Sequence, residues 1–216
     1  MLLETLPLAL GAAVSPIVLA ITVAMLTGPG RTPRALAFLA GEAVPLLALA
    51  GLILLFGGGV SLKVSPTALT ALDLVFAGIL LAVGLRALWR ALHRVPAKPP
   101  STDDSHANVA PRRAFAIGVG SMTTNFTSLL LYLPALKLVA AADLTTADEL
   151  IAAALVIVLV LSTVWLPLSL TRIAPITAEA ALARIAATFQ RNERLVTIVL
   201  GLGFGLYLLV RGLNGL

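Results

Sequence analysis

Few side chains in this sequence can do chemistry, and they fall in a small number of places. Glu42 stands in Gly41-Glu42-Ala43-Val44-Pro45, inside an apolar stretch. A carboxylate deep in a lipid-embedded helix costs about 2.5–3.5 kcal/mol on insertion scales, so it should face protein or a water-filled cavity. Its chemistry would be proton coupling or capture of a cationic ligand. The structural alternative is pairing with Arg31, Arg34 or another cytoplasmic-side arginine. Ser15-Pro16 interrupts a second apolar stretch, and Thr123-Thr124-Asn125-Phe126-Thr127 interrupts a third. Pro16 removes one amide and displaces the Ala12 carbonyl. Ser15, Pro16, Thr123, Thr124, Asn125 and Thr127 therefore read as a substrate pathway formed by two discontinuous helices at mid-depth. The competing reading is interhelical glue, at about 0.6 kcal/mol per hydrogen-bonded pair. Asp73 reads as interfacial, with Lys63 as its partner. Lys137 reads as a snorkelling side chain. Pro45, Pro134 and Pro167 read as hinges or kinks, and Trp89 and Trp165 as members of an interfacial belt.

Other chemistries lack their residues. There is no cysteine, which removes disulfides, thiol catalysis and iron–sulfur ligation. The two histidines, His93 and His106, lie in or beside one polar loop and suggest no zinc site. No phosphate loop, serine triad or pair of catalytic carboxylates appears. The expectation is a protein that is not an enzyme, without catalytic residues, metal or cofactor.

The elements that must position these residues follow from composition. Of 216 residues, 59% are hydrophobic and 12% charged, and the mean hydropathy is +1.04. A soluble globule of this size cannot bury so much apolar surface. Lipid must be the solvent for most of the chain. The net charge of +5 sits at segment ends, which argues for membrane orientation rather than a nucleic-acid partner. The opening Met1 to Leu10 carries Glu4 and no basic residue, so it does not read as a cleavable signal.

Six apolar stretches are each long enough to span a bilayer. They cover residues 3–26, 35–56, 68–89, 114–139, 148–170 and 195–213. Continuous apolar runs exclude a barrel, so the fold class is an all-α polytopic membrane protein. Residues 90–113, with Pro96, Pro99, Pro100, Asp103 and Asp104, read as a polar loop. Residues 173–194 read as an interfacial amphipathic helix with Ala180, Leu182, Ile185, Ala186 and Phe189 on its apolar face. The alternative is an extension of the sixth span. Twelve Lys and Arg flank one side: Arg31, Arg34, Arg86, Arg90, Arg94, Lys98, Arg112, Arg113, Arg172, Arg184, Arg191 and Arg194. Three flank the other: Lys63, Lys137 and Arg211. This puts the polar loop in the cytoplasm and both termini outside.

The chain also reads as two halves, residues 1–89 and 114–216. Gly78 is followed by Arg86 and Leu88, and Gly203 by Arg211 and Leu213, at the same spacing. Gly11 to Pro16 and Gly118 to Asn125 both bring small residues to a break. Two halves of three helices each must be inverted, a pattern of secondary transporters.

With Gly11-Ala12-Ala13-Val14-Ser15-Pro16 breaking the first span, this arrangement resembles the lysine-exporter (LysE) superfamily. Leu6 to Ile17, followed by Arg34-Ala35-Leu36-Ala37-Phe38-Leu39-Ala40-Gly41, is most similar to its actinobacterial GAP branch of sulfolipid- and glycopeptidolipid-addressing proteins. The resemblance implies a multi-pass protein of the inner membrane that exports or flips a cell-envelope lipid or glycolipid, or a precursor of one. Its implied partners are that lipid and either a second copy, forming a homodimer, or an envelope-lipid biosynthesis protein. The family commonly carries Asn-Pro-Lys in the fourth helix, where this chain has Asn125-Phe126-Thr127, so the lysine's role in binding an anionic group does not carry over. Two rival expectations are a proton-coupled exporter of small solutes, such as amino acids or cations, working through Glu42, and a non-transporting scaffold for envelope-lipid assembly.

Overall fold

The computed structural model describes residues 2–28, 30–54, 66–93, 109–142 and 144–214. Among these there are ten helices and no strand: α1 (Leu2–Ala13), α2 (Pro16–Met25), α3 (Arg31–Leu54), α4 (Pro66–Leu92), α5 (Pro111–Thr124), α6 (Phe126–Ala140), α7 (Thr146–Val160), α8 (Ser162–Ile173), α9 (Pro175–Arg191) and α10 (Glu193–Asn214). Helices α3, α4 and α10 are long and apolar enough to cross a membrane unbroken. The other apolar stretches are bent pairs: α1–α2 by 54°, α5–α6 by 72° and α7–α8 by 66°. Counting each pair as one span gives up to six. Many large apolar side chains face outward along the spans, among them Ile17, Leu47, Leu85 and Val199, as expected where the solvent is lipid.

Two bends were expected at Pro16 and Asn125; the third, at Leu161 in a stretch read as one helix, corrects that reading. Pro45, Pro134 and Pro167 do not break their helices; they lie inside α3, α6 and α8. Prolines begin α2, α5 and α9 instead, where a missing N–H costs nothing.

Close packing comes from glycine. A Cβ on Gly84 of α4 would sit 2.8 Å from the Leu202 amide of α10, and one on Gly201 would sit 2.8 Å from the Gly84 Cα. Gly205 faces Leu81 and Gly212 faces Leu74, so numbers rise along one helix as they fall along the other, and the pair is antiparallel. Helices α3 and α5 do the same through Gly41 and Gly118, each against the other helix's backbone. Without a hydrophobic force between helices in lipid, such small-residue contacts let dispersion hold the backbones together. Gly78 and Gly203 both face open space.

The buried apolar residues form two clusters. One gathers Leu8, Leu46, Leu80, Tyr132, Leu136 and Val156, drawing on α1, α3, α4, α6 and α7. The other gathers Val18, Met25, Phe38, Ala114, Val164 and Leu182, drawing on α2, α3, α5, α8 and α9. Each bent span thus sends one half mainly to each cluster, while α3 runs through both.

Helix α9 is a separate element, divided from α10 at Asn192. Its buried stripe is Ala178, Leu182 and Ala186, at a spacing of four, packed on α2 and α8. The expected apolar face is corrected accordingly: Ala180 and Ile185 point outward. Most of the polar loop, and Lys63 with it, lies outside the described residues.

Candidate functional site

The bends of the first and fourth spans touch. Asn125, between α5 and α6, donates through Nδ2 to Ser15 Oγ at 3.0 Å. Each of the two residues also caps the half-helix that follows it. Ser15 Oγ accepts from the Val18 amide at 3.4 Å, and Asn125 Oδ1 accepts from the Ser128 amide at 3.3 Å. A helix start leaves four N–H groups without intrahelical partners, and a side-chain oxygen at the cap meets one of them. The start of α2 and the start of α6 are therefore locked together through their caps. The positive ends of two half-helix dipoles converge there.

The third bend joins the first through a different bond. Thr163, in the first turn of α8, donates its hydroxyl to the Ala13 carbonyl, which ends α1. The Ser15 amide reaches the same carbonyl at 3.0 Å. Trp165 turns back across its own bend and donates Nε1–H to the Val158 carbonyl at 2.9 Å. Three interrupted spans thus meet at one polar node on the boundary between the two apolar clusters. Satisfying freed backbone groups through neighbours is what permits broken helices in lipid.

The other expected pathway residues are not all aimed at this node. Pro16 is buried as the first residue of α2. Thr123 and Thr124 face outward, and their hydroxyls return to carbonyls of α5, Val119 at 2.6 Å and Gly120 at 2.8 Å. Thr127 is half-buried in the first turn of α6. Glu42 lies at the α3–α5 contact, 2% exposed, with its carboxylate hydrogen-bonded to Ser121. Its Oε1 is buried and has no hydrogen-bond partner among the described residues.

Asp73 is corrected from interfacial to buried. It pairs with Lys137 of α6 and lies 3.8 Å from Arg211 of α10. Lys137 does not snorkel: its side chain is 12% exposed and turned to Asp73. The pairs join α4, α6 and α10 near the ends of α6 and α10, and the attraction between the opposite charges offsets the cost of taking them out of water. Trp165 is likewise corrected, from belt residue to bend residue. Trp89 is exposed near the end of α4 and stacks on His93 with ring centres 4.4 Å apart.

Sequence reasoning missed Thr163, Ser121 and the acid–base pairs. Ser162-Thr163 was the available signal for the first, two hydroxyls in the middle of an apolar run. Ser121 stands one helical turn before Asn125, a spacing that places both on one face. Among the described residues no group of three His, Asp or Glu side chains gathers to hold a metal.

Residues 5–214 match the family model described as Sap, sulfolipid-1-addressing protein. No curated protein and no solved structure matches the chain.

Proposed function

The chain belongs to the family of Sap, sulfolipid-1-addressing protein, and from that premise we propose that it is an inner-membrane transporter that exports or flips an anionic cell-envelope lipid or glycolipid. The observation that carries this reading is the node where three interrupted spans meet, Ser15 with Asn125 and Ala13 with Thr163. A fold that only anchors partners has no need of three bends brought to one depth. A fold that moves a headgroup past the hydrocarbon needs polar groups there and segments able to part.

In this reading the headgroup enters between the caps of α2 and α6. Ser15 and Asn125 exchange their mutual bond for bonds to its oxygens, and the two helix starts favour its negative charge. The apolar tail stays among outward-facing side chains, so only the headgroup must cross. No residue acts as a catalyst, and no cofactor is invoked.

The finer architecture belongs to the same proposal. Two inverted three-helix repeats, as in the lysine-exporter superfamily, accord with antiparallel α4 and α10 and with bends in the first and fourth spans. The bend of the fifth span has no counterpart in α3, so equivalence is weaker there. The arginine and lysine distribution supports an orientation with both termini outside. A second reading, a proton-coupled exporter of small solutes, draws on Glu42, whose Oε1 has no hydrogen-bond partner among the described residues and would accept a proton.

The test is reconstitution. In vesicles carrying a fluorescent sulfated lipid, the protein should make the inner-leaflet pool accessible to an external quencher, and protein-free vesicles should not. Efflux of trapped amino acids without lipid exchange would favour the solute reading. Neither activity in correctly inserted protein would leave the scaffold.

A further inference from the structure

On the outer side of the α7–α8 bend lies a feature that the node does not use. A groove of about 570 Å³ runs between α3 and this bend, lined by Leu39, Ala40 and Ala43 on one wall and Val158, Leu161 and Trp165 on the other. Its lining is almost wholly apolar side chain. Leu161 forms the buried floor, while Ala40 and Val158 are exposed at the rim. The Trp165 indole N–H is already bonded to the Val158 carbonyl, so the ring offers the groove an apolar face with no polar group left to satisfy.

The groove and the node are two sides of one bend. Leu161 and Thr163 are two residues apart, and such residues point to opposite sides of a helical turn. Leu161 floors the groove while Thr163 bonds the Ala13 carbonyl at the node. A cation stands beyond the groove along α8. Arg172 follows Trp165 by seven residues within α8, about two turns along the same face. It is exposed near the end of that helix.

We propose that this groove seats an acyl chain of an anionic membrane lipid whose headgroup meets Arg172. The chemistry of the groove selects that occupant: apolar walls open to the bilayer, with a cation about two helical turns beyond Trp165. The proposal rests on the lipid reading above and deepens it by naming where the tail is held beside the node. A chain in the groove would lie against the segment whose Thr163 ties the α7–α8 bend to α1, so occupancy and the state of the node are physically adjacent.

Trp165 reports on the groove. With Trp89→Phe it becomes the single tryptophan, since the chain has two. The protein is reconstituted in vesicles containing phosphatidylglycerol or phosphatidylcholine brominated along the acyl chain, and Trp165 quenching is measured against mole fraction. Phosphatidylglycerol should bind the quenching site about fivefold more tightly, the effect of one basic residue near an anionic lipid. Arg172→Gln should remove that preference, and Ala40→Leu, at the exposed rim, should lower quenching by both lipids. Equal quenching by the two lipids, unchanged by Ala40→Leu, would overturn the proposal. The lipid comparison needs no groove variant, so it stands even if Ala40→Leu inserts poorly. Lipid translocation without the Trp165 preference would leave transport intact and remove the groove. The preference without translocation would do the reverse.

Discussion

Helices α4 and α10 bury backbone in lipid by a different means from the three bent spans. The first pair keeps every helical turn and brings the chains together on glycine, at Gly84, Gly201, Gly205 and Gly212. The contact ends at the Asp73 ion pairs. The bent spans are interrupted at Ser15, at Asn125 and around Leu161; side chains of the same span meet freed backbone groups at each bend, and bonds between spans tie the bends together. Glycine packing has one good separation and loses dispersion steeply away from it. Side-chain caps can change partners at modest cost, since interhelical hydrogen bonds in membranes average about 0.6 kcal/mol. The α4–α10 pair is thus suited to stay fixed, and the node to open.

The largest expected effect lies at the end of the fixed pair. Asp73→Leu leaves Lys137 and Arg211 without their shared carboxylate in a mostly buried site. Removing one partner from such a site costs about 3–5 kcal/mol. Thermal denaturation in detergent should show the lowest midpoint of any single variant, with Asp73→Glu recovering most of it. An unchanged midpoint would mean the pairs do not hold α4, α6 and α10 together.

Gly84→Val tests the packing itself. The added Cβ would press on the α10 backbone at Leu202, and overpacking of this kind costs about 1–3 kcal/mol. The expected result is a lower midpoint with little change in translocation per folded molecule. Loss of translocation at an unaltered midpoint would show that α4 and α10 move after all, and would erase the contrast between the two regions.

Much of this was legible in sequence. The spans followed from apolar length, because lipid permits nothing else. Two of the three bends were legible because Ser15-Pro16 and Asn125 have residue types that start helices. The third was not: Leu161 carries no breaker, and the nearby Pro167 sits inside α8 without bending it. Its freed Val158 carbonyl is met by Trp165 of the same span, and its tie to the first bend is Thr163 donating to the Ala13 carbonyl, a contact across 150 residues that no local pattern encodes. The Asp73 pairs were misread for the same reason. Lys63 is close in sequence, whereas Lys137 and Arg211 are brought close only by packing.

The smallest effect is expected at Thr123. Its hydroxyl is spent on the Val119 carbonyl of its own helix, so Thr123→Val should leave both stability and translocation near the native values. A large loss of translocation would extend the pathway along the outward face of α5 and blur the border of the node.

The central claim is tested most directly at Asn125. Asn125→Leu deletes the bond to Ser15 and the cap on Ser128 together, at about 1–2 kcal/mol by the usual cost of a lost cap. The measurement is flipping of a fluorescent sulfated lipid in vesicles, by native protein and by Asn125→Leu at equal, verified insertion. The account predicts that flipping falls to the protein-free level while the variant remains folded. Native rates from folded Asn125→Leu would contradict it, leaving Asn125 as interhelical glue and the route elsewhere.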